Sequence, residues 1–249
     1  MGEYTFVVEK PCPICGETTR VIKLKSRIIA EKTDEDFCVH YKGINPYYYY
    51  IWFCEHCGFA ADEKHFLAPL PARNKQKIRE FLSKRQLALE FTPVRGVPEA
   101  VASYKLAIYY AELIDASLAH RAGLYLHLGW VYRSAGDEAH EQEAMRHAAE
   151  LYDQSIMKEH YPQGAMTDNM VIYLIGAIYY RLGETEKATQ YLSRIIGDIN
   201  SLKDVLNNSV TTLIPDFITV ASVVVISLSV IFTSIAPFLP RLTAIIVFS

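Results

Sequence analysis

The chain has 249 residues, a formal net charge of -3 and a pI near 6.2, a balance with no overall pull toward nucleic acid or acidic membrane surfaces. Its length exceeds one average domain, and its composition is uneven enough to divide it into segments of different build. The opening MGEYTFVVEK lacks a basic n-region followed by an apolar h-region, so it reads as no secretory signal, and Phe6 stands where N-myristoylation wants Ser or Thr.

Residues 1–70 show short alternating runs with turn residues, such as Val21 to Lys25, which predict small antiparallel strands. All five cysteines lie within the first 57 residues, four of them as two Cys-x-x-Cys pairs, which without an export signal points to metal in a reducing compartment. Cys12-Pro13-Ile14-Cys15-Gly16 and Cys54-Glu55-His56-Cys57-Gly58 read as two knuckles, each with a glycine to accept the positive φ of the turn. Cys12, Cys15, Cys54 and Cys57 would complete a tetrahedral thiolate shell with no open position, so a structural zinc ion is expected. A segment of this size buries too little apolar surface to dispense with such a staple. Iron would fit the same four sulfurs and give a rubredoxin-like electron carrier. Cys38 and His40, between the knuckles, read as a partly buried thiol and an ordinary loop histidine.

Lys23, Lys25 and Arg27 would share one strand face near the aromatic run Tyr47 to Tyr50 and Trp52, which supports an alternative reading as a nucleic-acid-associated ribbon. Residues 1–70 hold 8 Lys or Arg against 10 Asp or Glu, however, and Asp34, Glu35 and Asp36 sit in the middle. A phosphate-tracking surface does not carry that balance, and the tyrosine run reads as a half-buried strand. Residues 72–90 predict one amphipathic helix with Ile78, Phe81 and Leu82 on a face. Six basic residues between Arg73 and Arg85, against Glu80 alone, make it the most basic stripe of the chain. It is read as a linker helix over 71–97.

Residues 98–200 are helical in pattern, broken at Gly136 and Gly183 and, at greater length, around Tyr161 to Gly164. Tetratricopeptide-like spacing is visible twice. Gly176, Tyr179, Gly183, Ala188 and Leu192 form one unit; Tyr125, Leu128, Gly129, Tyr132, Gly136, Met145 and Ala148 form another. The glycines Gly129 and Gly176 are 47 positions apart (176 - 129) against a usual period of about 34, so the stack is irregular. Ala100, Tyr104 and Ala107 resemble a preceding second helix. Such stacks present a concave face, lined by the first helix of each pair, to an extended peptide or partner helix. His120, His127, His140 and His147 read as surface residues, since no zincin spacing accompanies them.

The two knuckles, the stretch Asp36-Phe37-Cys38 through Asn45-Pro46 to Tyr49, Phe59-Ala60-Ala61 after the second knuckle, and Tyr173-Leu174-Ile175-Gly176 with Tyr180-Arg181-Leu182-Gly183 together resemble a bacterial family, domain of unknown function 2225. The resemblance covers residues 5–198 and implies a cytoplasmic protein with a zinc ribbon and tetratricopeptide-like helices. It does not supply an activity.

Residues 201–249 depart from that pattern. Phe217 to Pro240 are 24 consecutive uncharged residues, enough for the roughly 20-residue helix that spans a bilayer. The expected organisation is therefore an α+β chain: a small β zinc ribbon over 1–70, the basic helix over 71–97, an all-α tetratricopeptide-like domain over 98–200, and a transmembrane helix over 201–249 attaching a cytoplasmic protein to the cell membrane. No nucleophile motif, phosphate loop or paired carboxylates emerges, so the expected function is a non-enzymatic scaffold that binds a protein partner through its helices.

Overall fold

The computed structural model describes residues 4–84, 94–197 and 203–204. Its first third is built from hairpins whose strands are too short to stand alone. Strands β1 (Thr5–Pro11) and β2 (Thr18–Leu24) pair antiparallel with Thr5 opposite Leu24 and Pro11 opposite Thr18, so the first knuckle forms the hairpin tip. Strands β5 (Ile51–Phe53) and β6 (Ala60–Asp62) pair likewise, Phe53 opposite Ala60, with the second knuckle as their tip. Between them, β3 (Ala30–Thr33) and β4 (Val39–Tyr41) make a third two-stranded hairpin.

The tyrosine run, expected as a strand, instead forms a 3₁₀ turn over Pro46–Tyr49 before β5 begins. Asn45 is the cause: its side chain accepts from Tyr47 N at 3.0 Å, and Pro46 supplies the preset φ of a first helical position.

Helix α1 (Glu63–Leu67) follows β6 directly, capped by Asp62, and α2 (Ala72–Ser83) carries the basic stripe. The expected helix ran to 90; residues 85–93, Arg85 included, lie outside the described residues. Then come α3 (Val97–Leu113), α4 (Leu118–Ala135), α5 (Glu138–Lys158), α6 (Asp168–Arg181) and α7 (185–197). Polar caps start α4, α5 and α6: Ser117, Asp137 and Thr167 each accept a first-turn N–H at 3.3 Å.

Two helix hairpins of the same build result. Gly136 and Gly183 end α4 and the turn after α6 with φ of 71° and 77°, and the following N–H groups of Asp137 and Glu184 return to Tyr132 O and Tyr179 O at 3.1 and 2.9 Å. Within each hairpin a glycine lets the helices touch. A Cβ on Gly129 would stand 2.8 Å from Met145 Cε, and one on Gly176 would stand 2.8 Å from Leu192 Cγ. The contact falls 16 residues on in both cases (145 - 129 and 192 - 176).

Hairpins and helices share one core. Ile14, Ile51, Trp52, Phe59 and Phe66 pack with Ile78 of α2, with Tyr104, Ile108 and Tyr110 of α3, and with Leu124, Leu128 and Val131 of α4. Residues 1–195 accordingly form one compact unit, and residues 196–249 fall in a second. A second core layer joins α4, α5 and α6 through Leu126, Trp130, Tyr152, Leu174 and Ile178.

Residues 34–50 lie across the face made by the first helices, where an extended peptide was expected. Phe37 meets Tyr173 of α6 at 5.4 Å between ring centroids, Tyr47 meets Trp130 of α4 at 5.0 Å, and Tyr48 Oη lies 3.0 Å from Ser134 Oγ. Arg133 fastens this segment with bonds to Asp34 at 2.9 Å and to Asp36 at 3.0 and 2.6 Å.

The expected C-terminal transmembrane helix, and the membrane-attached location drawn from it, are corrected. Among the described residues no helix is long and apolar enough to cross a membrane. Residues 217–240, on which that expectation rested, lie outside the described residues.

Candidate metal centre

The two knuckles superimpose in their local chemistry. In the first, Cys12 N donates to Glu17 O at 2.9 Å and Gly16 N to Cys12 O at 3.0 Å. In the second, Cys54 N donates to Phe59 O at 2.8 Å and Gly58 N to Cys54 O at 2.8 Å. Gly16 and Gly58 hold φ of 84° and 81°, the left-handed turn that aims both cysteines of a pair the same way.

The four predicted residues come together. Cys12 Sγ lies 3.7 Å from Cys57 Sγ and Cys15 Sγ lies 3.7 Å from Cys54 Sγ, and all four sulfurs are within 4.8 Å of one another. Sulfurs about 2.3 Å from one ion stand about 3.8 Å apart along a tetrahedral edge, so the donor set fits such an ion. Cys12 and Cys54 are buried, Cys57 is half-buried and Cys15 is exposed. Left to themselves, sulfurs this close cannot all ionise. Hydrogen bonds from Cys12 and Cys57 hold the Cys54 thiol well below its usual range, while the same crowding, with burial, pushes Cys12 up to about 12 and Cys57 higher still. A dication removes that conflict.

Side chains that no cysteine spacing announces brace both tips. Arg79 of α2 donates twice to Ile14 O, from Nε at 3.0 Å and from a terminal nitrogen at 2.7 Å. Tyr110 of α3 donates to Gly58 O at 3.0 Å. Arg20 of β2 grips Glu55 in the second knuckle at 3.0 and 2.6 Å. The helices thus orient the cysteine turns from outside.

Cys38 is a buried thiol pushed up to about 12 by its burial. With Asp34 and His40 it could be imagined as a ligand set, but Asp34 is already spent. Its oxygens take Lys32 at 2.7 Å, His40 at 2.7 Å and Arg133 at 2.9 Å, and these cations and hydrogen bonds outweigh burial to hold its carboxyl well below the usual range.

Of the residues read as a nucleic-acid face, Lys23 pairs with Glu63 at 2.7 Å over the buried Trp52 ring, and Arg27 is exposed. In the basic helix, Lys77 donates to Leu113 O at 3.1 Å and Arg79 to the first knuckle.

The histidine expectation is corrected in half its members. His140 is exposed and stacks on Tyr132, as a surface residue would. His120 and His127 point inward instead, because α4 is covered on both sides and has no free face for them. His127 packs among Tyr47, Tyr50, Tyr104 and Trp130, and burial lowers its pKa to about 4.

Fold and site together define a class: an α+β protein in which two cysteine-tipped hairpins, seated on helices, form a four-thiolate centre able to hold a metal ion. The chain belongs to the bacterial family described as "Uncharacterized protein conserved in bacteria (DUF2225)", whose model matches residues 8–214, in accord with the motifs that suggested it. No curated protein and no solved structure matches it.

Proposed function

We propose that this protein is a zinc-stapled interaction scaffold rather than a catalyst at its cysteine centre. The observation that carries the reading is the closed set of four sulfurs, whose spacing suits a tetrahedral ion and leaves no position for water or substrate. Zinc is favoured over iron as the ion because the site then serves only to tie hairpin tips 42 positions apart (54 - 12) onto the helical core.

The helices read as an irregular tetratricopeptide-like pair. Support comes from the equivalent Gly129–Met145 and Gly176–Leu192 contacts and the two left-handed glycine turns. Their inner face holds the chain's own acidic segment 34–50 through Arg133 and Trp130, the way such helices hold an extended chain. A protein partner is the ligand class that such a surface suits.

Because hairpins and helices share a core, the test uses the full chain. Zinc content is measured, and partners captured by the tagged protein are re-bound in purified form before and after the metal is removed. The scaffold reading expects one purified protein to bind with measurable affinity to the zinc form and not to the stripped form. RNA or DNA bound with a steep salt dependence in place of any protein would transfer the role to nucleic acid. A red protein containing iron would transfer it to electron transfer.

A further inference from the structure

Asp62 and His65, three positions apart, meet the distant His120 at one oxygen. Asp62 ends β6, and its Oδ1 caps α1 by accepting from His65 N at 3.2 Å. Its Oδ2 stands 2.7 Å from His65 Nδ1 and 2.8 Å from His120 Nε2 of α4. The two imidazole rings lie face to face, centroids 3.5 Å apart. A helix cap needs none of this second arrangement. The three donor atoms lie within 4.8 Å of one another, and Asp62 is only 5% exposed.

A cavity of about 460 Å³ opens beside the cluster, with Asp62, His65 and His120 in its wall alongside Tyr50, His127 and Tyr152. Two polar atoms of that wall, His120 Nδ1 and His127 Nδ1, are buried without a hydrogen-bond partner. Buried polar atoms are nearly always satisfied, so this wall is incomplete by itself. Two imidazoles and one carboxylate are the donor set of open transition-metal sites, in which the protein supplies three ligands and leaves the rest of the shell free. Donors about 2.1 Å from an ion stand about 3.0 to 3.4 Å apart, so the two Asp62–imidazole distances would open by a few tenths of an ångström and the stacked rings would tilt apart to aim both lone pairs at the ion. His65 has room for this, its side chain being 38% exposed and carried on a five-residue helix.

We propose that Asp62, His65 and His120 hold a divalent transition-metal ion whose remaining coordination positions face the cavity, where a small ligand with an oxygen or nitrogen donor completes the shell. The ion takes the place of the hydrogens that lie between Asp62 and the two rings; each neutral ring keeps its one proton, carried on the nitrogen that faces away from the ion. This centre adds to the scaffold reading and stands independently of the cysteine site.

The test equilibrates the full-length protein with buffered zinc and counts bound ions by mass spectrometry. Two ions per chain are expected for the natural protein and one for His65→Ala and for His120→Ala. His65→Ala is the safer variant, since it empties no core position, and its thermal unfolding serves as a fold control. Cobalt(II) gives a second readout: thiolate coordination shows intense near-ultraviolet charge-transfer absorption, which His65→Ala should keep, while the weaker visible bands of the nitrogen and oxygen site should vanish. If the cysteine site alone failed, the natural protein would hold one ion that His65→Ala loses. An ion count left unchanged by His65→Ala overturns the proposal.

Discussion

Replacing the nearly buried Arg133 of α4 with methionine should be strongly destabilising, and the reason can be counted. The guanidinium, only 7% exposed, bonds Glu141 at 2.8 Å, Asp34 at 2.9 Å and Asp36 at 3.0 and 2.6 Å. Without it, Asp34 keeps Lys32 and His40, and Glu141 keeps Arg181. Among the described residues, Asp36, at 2% exposure, then retains only the Trp130 N–H at 3.1 Å and the Cys38 N–H at 3.4 Å. It becomes a buried carboxylate with no cation, a change that costs about 3–5 kcal/mol. For a unit of this size that loss lowers the Tm by about 6–20 °C, at roughly 2–4 °C per kcal/mol. Thermal unfolding of the full chain followed by far-ultraviolet circular dichroism reads it out. The double variant Arg133→Met with Asp36→Asn should unfold at a higher temperature than Arg133→Met alone, because the stranded charge has gone. A single variant within about 1 kcal/mol of the natural protein, or a double variant no better than the single, would refute this reasoning.

The remaining predictions concern glycine contacts, a half-buried histidine and the bracing of the knuckle. Gly176→Ala should destabilise by about 1–3 kcal/mol, since its Cβ meets the branched Leu192 Cγ at 2.8 Å, whereas Gly129→Ala meets the movable end of Met145 and should be near neutral in denaturant unfolding. His127, lowered to about 4 by burial, stays neutral in the fold while the unfolded chain takes up a proton first as the pH falls. Its contribution is therefore complete above about pH 6.5 and is lost between 6.5 and 4, with a slope of at most about 1.4 kcal/mol per pH unit. Urea titrations at several pH values should show a shallower decline in His127→Phe, and parallel curves would contradict the assignment. Arg79→Met removes both bonds to Ile14 O and should weaken zinc binding about 10-fold or more in competition with a chromophoric chelator, with the four cysteines untouched.

The four-cysteine cluster was legible because a Cys-x-x-Cys-Gly turn is local: spacing alone fixes two sulfurs, and two such turns bring four together. The helix hairpins were legible for the same reason, since Gly136 and Gly183 end helices by their own backbone preference. What escaped was everything decided by tertiary partners. Asp62 and His120 are 58 positions apart, and His65 beside Asp62 looks like an ordinary residue after a helix cap, so no spacing announces the cluster. His120 and His127 were misread as surface residues because their seven-residue repeat shows a shared helix face without showing that hairpins and cavity cover it. Nothing in the acidic run shows that Asp34 and Asp36 are buried; Arg133, nearly a hundred residues on, is what draws them inward. The tyrosine run reads as a half-buried strand, and the Asn45-Pro46 start makes it a 3₁₀ turn instead.

The central claim is four sulfurs on one zinc. X-ray absorption at the zinc edge, taken on His65→Ala so that only the cysteine site contributes, tests it most directly. A single shell of four sulfurs at about 2.3 Å is the result the account requires; a shell containing nitrogen or oxygen, or no bound zinc at all, would contradict it.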